Sequence, residues 1–342
     1  MGIAIIPRGR ARLRRGSRGG GDGGVEPRPT LTKLAKVNSA QYHEFTTTLF
    51  SEEGDILSEP VIEVHSVDKF LNEIFKVPPA KCVTRCFRGQ KNVDWPVKPS
   101  VFRKTSENAE SKMLSDLFLE TPGDFYEDRT MFEKLVRAQH YELPTRILDV
   151  SLNPLVALFF STENHIGDDG MPKNGVLYIF DVEEDRTKNA DSDIISLISN
   201  LSRLSDKDLD DLKKNSKNCR SDKQKEEFRK TPACEKLCQF VRMEKPYFLN
   251  HVDPLDLRRY YLALPYKANR RIIAQSGAFI VAGCLEYTGL NRSRNFSKTT
   301  KIVIPHDKKE EIRAHLDQLN INTKSLFPEI VSAARDISKR YL

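Results

Sequence analysis

"TRILDVSLNPLVALFF", residues 145–160, decides how this chain is organised. Ile147, Leu148 and Val150 around Asp149 make a short strand. Asn153-Pro154 follows, a capping residue with proline at the first helical position, and opens an apolar helix. A strand that breaks directly into a helix leaves two polar side chains, Asp149 and Ser151, at the break. Neither element needs them for its own formation, so they are candidates for a site.

Working outward, "HSVDKFLNEIFKVPP" predicts a short helix with Ser66 as N-cap, Phe70 and Ile74 on one face, and Pro78-Pro79 as its stop. "CVTRCFRG" reads as a strand ending in Arg88-Gly89. Amphipathic helices are expected around "SKMLSDLFLE" and "TMFEKLVRAQHY". "GVLYIFDV" (175–182) and "RIIAQSGAFIVAG" (271–283) read as strands buried on both faces, the second interrupted by Gly277. Between them a polar, helical insert at about 183–230 is either a lid or a variable excursion. "KIVIPHDKKEEIRAHLDQL" predicts a strand, then a helix capped by Asp307 that buries Ile312, Leu316 and Leu319. "LFPEIVSAARDISKRY" predicts a last helix that packs Ile330, Ala334 and Ile337. The expected division is a disordered Arg/Gly-rich tail (1–35), a helical lead-in (36–79) and one main domain (80–342).

The chain has 342 residues, 39% of them hydrophobic and 30% charged, and no apolar run of the length a membrane-spanning helix needs. Its formal charge of +7 is concentrated at the start. Residues 1–30 hold seven arginines against Asp22 and Glu26, leaving +2 for all the rest. The body therefore gives no charge argument for a nucleic-acid groove, whereas the tail, too rich in glycine to order itself, is suited to RNA or DNA or to a targeting role. Six cysteines without secretory context, at helix and strand spacings, are expected to be reduced and mostly buried in a cytoplasmic protein, with no metal. No P-loop, GxGxxG or HExxH occurs.

At Phe87-Arg88-Gly89 a guanidinium stands at a strand end, suited to bidentate capture of phosphate or carboxylate, or else to an internal salt bridge; the glycine would let a ligand approach the backbone. Gln139, His140 and Arg146 form a polar group beside Asp149, either a base for an acceptor or a self-bonded loop with an Arg146–Asp149 ion pair. Arg270 and Arg271 are further candidates for a phosphate.

"FRGQ", "PSVFRK", "RAQHYELPTRILDVSLNPLVALFFS", "ANRRIIAQSGAFIV", "VIPHDKKEEI" and "SLFPEI" together resemble the FRG family, over roughly residues 80–340. The usual pattern has glycine where Glu142 stands, Trp-Thr at Val150-Ser151, and a second Gln at Ser276. A strand ending in aromatic-Arg-Gly, then a strand running into "NPxVAxxF", is also similar to the first two blocks of arginine-type ADP-ribosyltransferases. That resemblance implies an α+β fold with a mixed, split β-sheet core flanked by helices. It implies NAD as co-substrate, bound by Arg88, Gly89, Arg146, Asp149 and Ser151, with a nucleic-acid or protein acceptor and a setting in toxin or phage defence. The third block of such enzymes carries a Glu on a later strand. Here Gln275 stands in that place with His140 as base; either Gln275 suffices, or Glu286 or Glu142 substitutes, or the fold binds a nucleotide or nucleic acid without transfer.

Overall fold

The computed structural model describes residues 62–329 apart from 77, 104–108, 218, 268 and 285–297, together with 338. Glu59–Leu342 forms one compact unit; the other, Met1–Ser58, lies outside the described residues, and with it the Arg-rich tail and most of the expected lead-in.

Among the described residues, eight strands form one mixed sheet: β1 (Ile62–Glu63), β2 (Val83–Gln90), β3 (Ile147–Ser151), β4 (Gly175–Glu183), β5 (Thr187–Asn189), β6 (Tyr260–Leu264), β7 (Gly277–Ala282) and β8 (Lys298–Ile304). Their order is β1-β8-β4-β2-β3-β7-β6-β5. The outermost pairs, β1–β8 and β5–β6, are parallel and the inner ones antiparallel. With the helices below, this is the expected α+β class.

Period-2 alternation assigns the faces. Ile147, Tyr261, Ala263, Phe279 and Val281 point into a helical core, while Leu148, Val150, Leu262, Ile280 and Ala282 point to the opposite side. On the helical side, α1 (Val67–Lys76), α4 (Pro154–Ser161) and α10 (Lys309–Gln318) cover β2, β4 and β8 through Phe70, Leu158, Leu177, Ile302 and Ile312. Because α1 packs in that core, residues 62–76 belong to the main body rather than to a lead-in.

The other half of the sheet carries α2 (Ala109–Glu120), α3 (Met131–His140), α5 (Asp193–Asn200), α6 (Asp206–Ser216), α7 (Asp222–Arg229) and α8 (Pro232–Arg242). The insert is thus neither lid nor excursion. Ile195, Leu197 and Ile198 of α5 are buried against the same core as Leu135 and Phe279, and the layer continues past 230 to Arg242. Its polar composition reflects the outward faces of α6 and α7.

Several expected elements take a different form. "RIIAQSGAFIVAG" is a short helix, α9 (Arg270–Ala274), then a turn and β7. Asn269 caps α9 by accepting from Arg271 N at 2.8 Å, and Ser276 closes it with φ 47°. Helix α10 follows a 3-10 turn at His306–Lys308 and has no side-chain cap, so Asp307 does not cap it, and Leu319 lies beyond its end, half exposed. Helix α11 (Thr323–Leu326) is a single turn ahead of the expected last helix, whose Ile330, Ala334 and Ile337 lie outside the described residues. Strand β6, "YYLAL", is an addition to the sequence reading.

Glycine fixes how close α4 lies. A Cβ on Gly89 would stand 1.8 Å from the Ala157 carbonyl oxygen, and one on Gly175 would stand 2.0 Å from that of Ser161. Adjacent strands β2 and β4 therefore form a notch for α4. Gly89 thus admits a helix. The C-terminus of α3 is closed by bonds from Glu142 N to Gln139 O and from Leu143 N to Ala138 O, both pairs of a Schellman motif, with Glu142 at φ 68°.

Two stability changes follow, both measurable by denaturant unfolding. Gly89→Ala is expected to destabilise by about 1–3 kcal/mol or more, because backbone rather than a flexible side chain blocks the methyl group. Glu142→Gly is expected to stabilise by about 1 kcal/mol, since a left-handed non-glycine residue carries roughly that penalty.

Candidate functional site

Strands β2 and β3 share one register pair, Phe87↔Ser151, whereas β2–β4 has eight and β3–β7 five. Beyond that pair the two strands part, and the gap opens a cavity of about 190 Å³. Its walls come from three distant stretches: Arg88 and Gly89, then Asp149 and Ser151, then Arg271 and Gln275, with Phe87 and Phe160 as apolar sides. Six of the expected residues therefore meet in one place.

Arg88 spans the gap, its Nη1 donating at 2.5 Å to the Asp149 carbonyl, on the strand edge that β2 no longer pairs. The Asp149 carboxylate is exposed, and its Oδ2 accepts from Gln139 Nε2 at 2.5 Å. Gln139 is held in turn by the Thr145 hydroxyl, which donates to its Oε1. This relay orients the Asp149 carboxylate from behind and leaves Oδ1 without a hydrogen-bond partner among the described residues.

Ser151 ties the site together. Its Oγ donates to the Gln275 carbonyl at 2.7 Å and accepts from Asn153 N at 3.0 Å, so it bridges the β3–α4 junction to the α9–β7 turn. Asn153 caps α4 by accepting from Leu155 N at 2.9 Å. Gln275 lies in the turn rather than on a strand, and its Nε2 donates to the Leu326 carbonyl at 3.1 Å. The Arg271 guanidinium, half-buried, lies 4.8 Å from the Phe327 ring centre and forms no ion pair among the described residues. Arg270 is exposed and does not line the cavity.

Arg146 is not part of this cavity. It is 1% exposed, and its backbone N and Nε donate to Glu110 at 3.1 and 3.0 Å, with a further bond from Nη2 to Glu110 Oε2. A guanidinium so enclosed neither reaches a ligand nor pairs with Asp149, because Glu110 takes its bonds. Glu110, on α2, is the partner that sequence reasoning missed; no local spacing connects residues 110 and 146.

His140 stands at the C-terminus of α3 and lines a neighbouring cleft instead, its Nε2 3.4 Å from Glu329 Oε1. Burial first, then the Arg271 guanidinium, holds its imidazole below the ordinary 6.5, against the opposite pull of Glu329 and Asp149. Glu142 is exposed at the turn after α3 and lines neither cleft; Glu286 lies outside the described residues.

Of the cysteines, Cys86, Cys219, Cys234, Cys238 and Cys284 are buried, as expected, and Cys82 is exposed. No group of three or more His, Cys, Asp or Glu is placed to hold a metal ion, among the described residues. No helix among them is long and apolar enough to cross a membrane.

Fold and cavity together define an α+β protein with a polar cleft opened where two strands of a mixed sheet part company. Residues 84–170 match the family model described as FRG domain, so this stretch of the chain is identified as an FRG domain. The matched stretch runs from β2 past α4, so it contains Arg88, His140, Asp149 and Ser151 but neither Arg271 nor Gln275. No curated protein and no solved structure matches the chain.

A folded-state pKa below that of the unfolded chain means that the unfolded state binds more protons as pH falls through 6.5, so His140 contributes a loss of stability on acidification. The fall in melting temperature between about pH 7 and pH 5.5 is expected to be shallower in His140→Asn than in the wild type.

Proposed function

We propose that the cleft between β2 and β3 binds NAD and that the protein transfers ADP-ribose from it to a macromolecular acceptor. One observation carries this reading: three stretches far apart in sequence bring two guanidinium groups, one oriented carboxylate and a carboxamide to a single cavity. Arg88 and Arg271 suit the diphosphate, since both are planar donors with half-buried stems. At about 190 Å³ the cavity suits one end of a dinucleotide, the nicotinamide and its ribose, with the remainder lying over the open side.

Asp149 takes the part that a later glutamate plays in the enzymes this chain resembles. Among the residues lining the cavity it is the carboxylate, and the Gln139 relay fixes it. As the bond from nicotinamide to ribose lengthens, positive charge develops on the ribose, and a pre-oriented carboxylate stabilises it. Gln275 offers its side-chain oxygen to a ribose hydroxyl while Leu326 holds its nitrogen. A toxin or phage-defence effector is the setting proposed for such an activity.

A second reading, a binding module without transfer, is favoured by the engagement of Ser151 and the Gln275 nitrogen inside the protein and by the carboxamide where a carboxylate was expected. Nicotinamide release separates the two. The Arg-rich residues 1–30 are proposed to bind nucleic acid independently, an affinity that their deletion would remove while leaving the cleft's chemistry in place.

NAD at about a hundredfold excess over Kd is expected to stabilise the wild type by about 2.7 kcal/mol in a thermal-shift titration, and Arg88→Ala to abolish the effect. Asp149→Asn is expected to keep NAD binding while lowering nicotinamide release by about 100-fold or more. A folded wild type that NAD neither stabilises nor is cleaved by, with protein and nucleic-acid acceptors present, would sink the proposal.

A further inference from the structure

A third cavity lies among the helices, at the opposite end of α3 from the β2–β3 cleft. It encloses about 330 Å³ between α2, the start of α3, the 3-10 turn Leu201–Arg203 and the chain that follows α8. Among the described residues that line it, Arg129, Lys134 and Arg203 are cationic and Glu244 is the carboxylate.

Glu244 does not neutralise these cations. Its Oε2 accepts from Met131 N at 2.6 Å and its Oε1 accepts from the Ser196 hydroxyl, so both oxygens are turned into the protein. No ion pair holds any of the three cations among the described residues. Arg203 is half-buried, its guanidinium carbon 4.2 Å from the Phe240 ring centre, and its Nη1 donates to the Met243 sulfur at 3.4 Å. A thioether is a weak acceptor, and stacking on a ring leaves the edge N–H groups of a guanidinium for something else. Lys134 is placed likewise, its Nζ 5.5 Å from the Phe118 ring centre.

The wall behind Arg203 is polar and incomplete. Ser196, Ser199 and Arg203 recur at i, i+3 and i+7 from α5 into the 3-10 turn and so share one face. Ser196 meets Glu244 at one end of that face, and Arg203 lines the cavity at the other. Between them Ser199 is fully buried, and its Oγ has no hydrogen-bond partner among the described residues. A charge half out of water without a counterion and a buried donor without an acceptor both cost free energy. An oxyanion relieves both. Three cations against one committed carboxylate favour the double charge of a phosphate over the single charge of a carboxylate. Leu114, Phe118 and Met243 make the rest of the lining apolar, and the volume is that of a small-molecule site, so the phosphate carries an organic group.

We infer that this cavity binds a phosphomonoester, its phosphate held by Arg129, Lys134 and Arg203 and its organic group lying on Leu114 and Phe118. The site is separate from the NAD reading above. Met131 lines it, whereas Gln139, about 12 Å further along α3, holds Asp149 in the β2–β3 cleft.

The test is a calorimetric titration of the full chain, at constant ionic strength and without nucleotide, using phenyl phosphate, inorganic phosphate and benzoate. Phenyl phosphate is expected to saturate one site, to bind at least about tenfold more tightly than benzoate, and to bind more tightly than inorganic phosphate. Arg203→Gln and Lys134→Gln are each expected to weaken it by about tenfold or more, the usual effect of losing a hydrogen bond from a charged group. Melting temperatures without ligand report folding, and Lys134→Gln carries the test should Arg203→Gln fold poorly. Arg88→Ala is expected to leave the affinity unchanged. Absence of saturable binding, benzoate or inorganic phosphate binding as tightly as the ester, or an affinity untouched by the cavity variants overturns the inference. So does loss of binding in Arg88→Ala, which would put the ester in the β2–β3 cleft. A chain that binds phenyl phosphate in this pattern and ignores NAD retains this site while the NAD reading fails.

Discussion

Strand β3 is held at both ends, and the rest of the site depends on that. At its start, Arg146 is locked to Glu110 of α2 by bonds from its backbone and its guanidinium. At its finish, Ser151 meets Phe87 of β2 before the chain turns into α4, whose seat is set by the glycine notch on β2 and β4. Between these anchors β3 follows β7 for five register pairs and leaves β2. A sheet edge exposed in the middle of a sheet is unusual, because its carbonyls and amides need partners. Arg88 answers one of them by donating to the Asp149 carbonyl. The guanidinium proposed to bind phosphate thus also braces the gap that makes the cleft.

Two arginines close to the same strand therefore have opposite fates. Arg146 is enclosed, and the cost of removing its charge from water is offset by several bonds to one carboxylate. Arg88 is half-buried on the neighbouring strand and faces the opening. Nothing in residue type separates them. The difference lies in which element covers each face of β3 and β2, which is a property of the assembled layers.

The same logic applies to α9 and the residues after it. Leu326 holds the Gln275 amide, Phe327 lies against Arg271 and Phe160, and Glu329 approaches His140. Four consecutive positions, 326 to 329, thus include three that touch side chains of the two clefts. That short segment, remote in sequence, orients the polar groups of both.

Much was legible from local pattern. Residues 145–160 announced a strand, a capped helix and a polar junction; Asp149 and Ser151 lie at that junction, and Arg88, Gly89 and Gln275 join them at one cavity. Such features are written locally because capping, proline position and alternation act over a few residues. "RIIAQS" was misread as strand because two isoleucines and a glycine suit either element, though Asn269 just before it was the available cap signal. The sequence by itself thus determined where strands and helices begin and which polar groups stand at their ends. Only the tertiary structure decided that Arg146 is a buried brace, that Gly89 admits a helix, that His140 belongs to a second cleft and that the insert is core. Each of those depends on a partner tens to hundreds of residues away, and burial and charge pairing are set by that partner rather than by the chain on either side.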